Sequence, residues 1–156
     1  TAGYAGLGAG ASLRAAGTGA VRRSYGGCRS RVAEPPGGAV SVETDLHALL
    51  AGQCPRVFPD DAAFSTPLPL VTYQQIGGEA VAHTDNTLPG VKNGYFQINV
   101  WAASRIEAAA LALAIEDALI GAVVFQARPM AGPIARREPE LARYGTQEDF
   151  TIWSVR

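Results

Sequence analysis

Residues 95–101 alternate without a break. Phe96, Ile98 and Val100 fall on one face, while Tyr95, Gln97, Asn99 and Trp101 fall on the other. Successive side chains of a strand point to opposite sides, so this run predicts a strand with one face in a core and one that is polar with aromatic ends. Just beyond it, Ser104-Arg105-Ile106-Glu107 has the spacing of a capping box. There the serine oxygen and the glutamate side chain satisfy each other's unpaired backbone donors at a helix start. A helix to Ile120 follows, with Gly121 as its stop.

The remaining elements fit around this pair. Ser41 can cap a helix whose first turn carries Glu43 and Asp45, acids favoured by the amino-terminal dipole. Its apolar residues Val42, Leu46, Leu49 and Leu50 recur at helical spacing, and it stops at Gly52. Cys54 to Phe58 reads as a short extended piece, and Thr66-Pro67-Leu68-Pro69 as a rigid approach to a strand at Leu70 to Ile76. Val123 to Arg128 and Glu148 to Val155 read as further strands, the latter alternating Phe150 and Ile152 against Thr151 and Trp153. Between them, residues 129–133 read as a turn and Arg136 to Arg143 as an edge strand. Gly77 to Gly94 is rich in turn chemistry, and so long a loop is usually functional or disordered. This order predicts an α+β fold: a mostly antiparallel sheet with two helices packed on one face, preceded by a disordered N-terminal segment.

That segment is set apart by composition. Residues 1–40 hold ten of the 18 glycines, five arginines and one acid, Glu34, a formal +4 against about −5 for the rest. Its apolar residues are too scattered to offset the entropy of ordering it, which predicts a disordered extension over 1–40 and a single domain over 41–156. The break at Glu34-Pro35-Pro36-Gly37-Gly38, and a sole methionine at Met130, raise the expectation that translation starts at Val40 and that the extension is dispensable. The net charge of −1 offers nothing to nucleic acid or an anionic membrane. The richest apolar stretch, Ala108 to Ile120, is interrupted by Glu116 and Asp117 and falls short of the roughly 18 to 20 residues a bilayer span needs. Cys28 and Cys54 cannot form a disulfide scaffold and read as free thiols.

The helix after Ser104 is apolar on two sides. Leu111, Ile115 and Leu119 form one stripe, with Ala108 and Ala112 letting it lie close on a sheet. Ile106, Leu113 and Ile120 form a second stripe nearly opposite, which makes them the candidate subunit interface, because a helix with two apolar sides must bury both or leave a sticky patch.

Chemistry is hard to find. A hydroxyl or thiol nucleophile needs a base and a group to orient it. The only histidines are His47, read as a surface residue of the first helix, and His83, in the long loop. No second histidine or cysteine is spaced to complete a zinc site with His83. Gly77-Gly78 precedes Glu79 rather than a lysine and hydroxyl residue, so it is no phosphate loop. Cys54 has no neighbouring base and reads as a small buried residue. The expectation is a protein that is not an enzyme and takes no cofactor or metal.

From Ser41 onward the order of features resembles the tail-completion, or tail-terminator, proteins of long-tailed bacteriophages and prophages. The opening helix leads to Arg56-Val57-Phe58-Pro59 and then the proline-led strand Pro67-Leu68-Pro69-Leu70-Val71-Thr72-Tyr73. A Gly/Asp/Asn-rich loop leads to Phe96-Gln97-Ile98-Asn99-Val100-Trp101-Ala102, with Glu107 to Ala112 on the next helix. The resemblance covers nearly all of residues 41–156 and none of 1–40. It implies a non-enzymatic virion protein, assembled in the bacterial cytoplasm, that caps the tail tube as a ring, usually of six subunits, and offers that ring to the head-completion or connector protein. The implied partners are further copies of the chain, the tail tube protein and the connector, with Glu79, His83, Asp85, Asn86 and Lys92 as a candidate partner-contacting loop. The alternative from another class is a ferredoxin-like regulatory domain binding a small ligand at a dimer interface.

Overall fold

Two capped helices and a six-stranded sheet make up the computed structural model, which describes residues 41–156. The expectations for residues 1–40 and for a start at Val40 lie outside the described residues. Helix α1 spans Val42–Gln53, with the Ser41 hydroxyl accepting from the Thr44 backbone N–H at 3.3 Å. It runs one residue past Gly52 and ends where the Cys54 N–H donates to the Leu50 carbonyl at 2.9 Å. Val42, Leu46 and Leu50 face the core, and Leu49 is half-buried.

Strand β1, Val57–Pro59, pairs in parallel with β2, Leu70–Gly77. The Arg56 guanidinium donates to the Pro69 and Leu68 carbonyls at 2.8 and 3.0 Å, tying the proline-led approach to the start of β1. Strand β3, Val91–Ala102, pairs antiparallel with β2 and with β6, Arg143–Val155. Helix α2, Arg105–Ile120, separates β3 from β4, Gln126–Pro129, and β5, Ile134–Glu138, which both pair antiparallel with β6. A short 3-10 turn, Pro139–Leu141, joins β5 to β6. The path across the sheet is β1-β2-β3-β6-β4, with β5 beside β6, and every pairing except β1 with β2 is antiparallel. An order of α-β-β-β-α-β-β-β departs from the β-α-β-β-α-β plan of a ferredoxin-like domain.

Register places the core. Val71 lies opposite Val100, Tyr73 opposite Ile98 and Phe96 opposite Phe150, so one sheet face is largely apolar. Both helices cover it, contributing Leu46 and Leu50 from α1 and Ala112, Ile115 and Leu119 from α2 to the same cluster. Burying each of these large side chains contributes about 1.5 to 3 kcal/mol relative to exposure. The other face carries a polar ladder, in which Gln74 Nε2 donates to Gln97 Oε1 at 3.0 Å and Gln97 Nε2 to Asp149 Oδ1 at 3.2 Å.

Several boundaries differ from the sequence reading, each for a tertiary reason. Strand β3 begins at Val91, not Tyr95, because β6 supplies partners as far as Val155, and Asn93 donates to Thr151 Oγ1 at 2.7 Å. Lys92 therefore belongs to β3, and the loop shortens to Gly78–Gly90. β6 starts at Arg143 rather than Glu148, and the edge strand precedes Pro139 instead of running to Arg143. The extended run after α2 narrows to Gln126–Pro129. The capping box is half-formed: Ser104 Oγ accepts from the Glu107 N–H at 3.2 Å. Gly121 closes α2 in the right-handed region, at φ −79°, so its stop is not the left-handed cap that glycine often supplies.

Candidate subunit interface

Helix α2 settles which of its stripes is interior. Ala108, Ala112, Ile115 and Leu119 are buried against β3, β4 and β6, and Leu111 is half-buried. The opposite stripe stands in solvent: Ile106 is 83 % exposed, Leu113 58 % and Ile120 55 %. Val123 and Val124, which follow α2 directly, are exposed as well. Together they form an apolar patch that none of the described residues covers.

The loop from Gly78 to Gly90 projects from the sheet between β2 and β3, exposed throughout except for Pro89. Asn93 clamps its base, because the Glu79 N–H donates to Asn93 Oδ1 at 2.9 Å. Its tip is a local turn in which the Thr87 hydroxyl and N–H donate to Asp85 Oδ1 at 2.7 and 3.0 Å, holding that carboxyl below its ordinary pKa. Asn86 takes a positive φ of 61°, which asparagine tolerates. His83 is exposed, and Lys92 stands on β3 beyond the loop. Of the five residues assigned to partner contact, Glu79, His83, Asp85 and Asn86 share the loop, and none lies on the α2 stripe.

His47 is half-buried rather than a plain surface residue, with Nδ1 3.4 Å from the Tyr73 hydroxyl. Cys54 is buried, its thiol toward the Pro69 carbonyl at 3.5 Å. Among the described residues, no group of three His, Cys, Asp or Glu side chains is placed to hold a metal ion. No described helix is long and apolar enough to cross a membrane.

One residue escaped the sequence reading. Glu148 shares the sheet face of Phe150 and Ile152 and is only 6 % exposed. It lies with Thr146 on the floor of a cavity of about 210 Å³ between α2 and β5, walled by Ala109, Ala112, Leu113 and Ala135. Its Oε1 has no hydrogen-bond partner among the described residues. Burial, with Glu116 and Asp149 nearby, raises its carboxyl pKa to about 7. Arg105 lines the same cavity but donates to the Gly145 carbonyl at 2.7 Å and to the Thr146 hydroxyl, making no ion pair with Glu148. The signal was available, since the alternation that puts Phe150 and Ile152 inside puts Glu148 inside too.

The opposite face of the sheet holds a polar groove of about 360 Å³ between the Asp60-Asp61 turn and β5. Trp101 lies across Gly145 there, where a Cβ would stand 2.7 Å from the indole ring, so only glycine admits it. The Arg143 guanidinium stacks 4.4 Å from the Trp101 ring centroid while Nε donates to Glu138 at 2.6 Å. Arg143 and Glu138 are thus paired within the subunit.

A family model described as "Tail completion protein gp17" matches residues 38–153. Among solved structures, the chain is similar to one from the virion of a native gene transfer agent particle, at 25 % identity over 70 % of this chain and 86 % of that one, with a TM-score of 0.43. No curated protein matches.

Proposed function

The chain belongs to the tail completion protein gp17 family, and from that membership we propose that it closes the finished tail tube as an oligomeric ring and joins it to the head. Members are structural proteins of the phage tail, so the chain is a virion component, and the family is not one of enzymes. A ring of identical subunits needs a head-to-tail contact in which one patch meets a different patch on the next copy. The exposed stripe of Ile106, Leu113 and Ile120 supports that reading most directly. It lies opposite the α2 residues that fill the core, so covering it between subunits requires no rearrangement of the fold. In this reading the Gly78–Gly90 loop reaches the tail tube protein or the connector. Catalysis has no part in it.

The test is a single substitution in the phage. Leu113→Glu should leave the subunit folded, because a charge on an exposed face costs little, and should block the ring, because an unpaired carboxylate would be buried between subunits. Infected cells should then accumulate full heads and separate tails. Normal particle yield with Leu113→Glu would refute the assignment of the stripe.

A further inference from the structure

Resting on the ring reading, we propose that the cavity floored by Glu148 is a socket that receives the side chain of Arg128 or Arg156 from a second copy of this chain. Glu148 is buried, lines a space large enough for a side chain, and is left with a buried, unpartnered oxygen. A buried acceptor without a partner is costly, and few survive in folded proteins unless something else satisfies them. The walls, Ala109, Ala112, Leu113 and Ala135, suit the aliphatic stem of an arginine. At the inner end the guanidinium would meet Glu148 and Glu116 in a charge-assisted contact.

Two observations support another copy as the guest. Leu113 belongs both to the cavity wall and to the exposed α2 stripe, so whatever covers the stripe also closes the cavity mouth. Arginine is also the chain's own predominant cation, Lys92 being the sole lysine. Among the described residues, Arg56, Arg105, Arg136, Arg137 and Arg143 are each held by a hydrogen bond, an ion pair or a stacked ring. Arg128 on β4 and Arg156 are left as exposed donors without a side-chain hydrogen bond among those residues.

The charged groups beside Glu148 are Arg105 and Glu116 from α2, with Asp149 acting from the opposite face of β6, while β3 and β5 present Ile98 and Ala135. Because Glu148 holds its proton near neutrality in the free subunit, seating a guanidinium beside it must release that proton. Association per contact should then tighten by up to tenfold for each unit of rising pH below about 7 and level off above it.

The experiment measures association of the full chain, by sedimentation and by binding to purified tail tubes, between pH 5.5 and 8.5. The proteins compared are wild type, Glu148→Gln, and the double variant Arg128→Gln with Arg156→Gln. The proposal expects Glu148→Gln to associate at least tenfold more weakly at pH 8 and to lose the pH slope. The double arginine variant should show the same loss, with no further loss when all three changes are combined. Circular dichroism on each variant separates failure to assemble from failure to fold. If Glu148→Gln, or the double arginine variant, assembles with wild-type strength and slope, the socket is overturned while the ring stands. If wild type neither self-associates nor binds tail tubes, the ring reading fails and the socket with it.

Discussion

Glu148 works against the fold of the isolated subunit, as a buried acid with an unpartnered oxygen. Its carboxyl pKa is raised to about 7 in the folded subunit, so between the ordinary carboxyl range and 7 the folded state holds a proton that the unfolded state has lost. Stability therefore falls as pH rises through that window, the reverse of a paired carboxylate. Glu148→Gln should stabilise the isolated subunit by about 1 to 3 kcal/mol at pH 8.5 and by little at pH 4.5, as read by chemical denaturation at the two pH values. Equal effects at both would show that the charge is not the cost. Ala142 makes a smaller test. It sits in the left-handed region at φ 47°, where a Cβ costs about 1 to 2 kcal/mol, so Ala142→Gly should raise stability by about 0.5 to 1 kcal/mol once glycine's added chain entropy is subtracted.

At the scale of elements, α2 divides into a face that holds the fold and a face that does not. Ile115→Ala should cost roughly 2 to 5 kcal/mol, since it leaves a cavity against the sheet, whereas Leu113→Ala should shift the isolated subunit's stability by about 0.5 kcal/mol or less. Matching losses at the two positions would mean that both stripes are interior. The loop divides similarly: its base is clamped by Asn93, but its length is exposed. Amides from Ala80 to His83 should exchange fast in the free subunit and slow in assembled tails, as followed by hydrogen exchange. These contrasts were legible in the sequence because periodicity reports which side of an element is apolar. The ends of the elements were less so. Asn93-Gly94 has turn chemistry, yet both residues lie in β3 because Ile152 and Trp153 of β6 stand opposite with hydrogen bonds to offer. The burial of Glu148 follows from its place in the alternation, but its lack of a partner depends on α2 and β5 closing over it while Arg105 turns to Gly145, and that lies in the tertiary arrangement.

For the whole molecule, the described residues leave an apolar flank, an exposed loop and a cavity lined by an unpaired acid, and the proposed ring would cover all three with further chains. The central claim is that the missing chains are copies of this one, closed into a ring on the tail tube. Multi-angle light scattering of the chain, alone at high concentration and then mixed with purified tail tubes, tests it most directly. The account predicts a species near six subunits, either free or formed only on the tubes. A stable dimer that ignores tail tubes would contradict it.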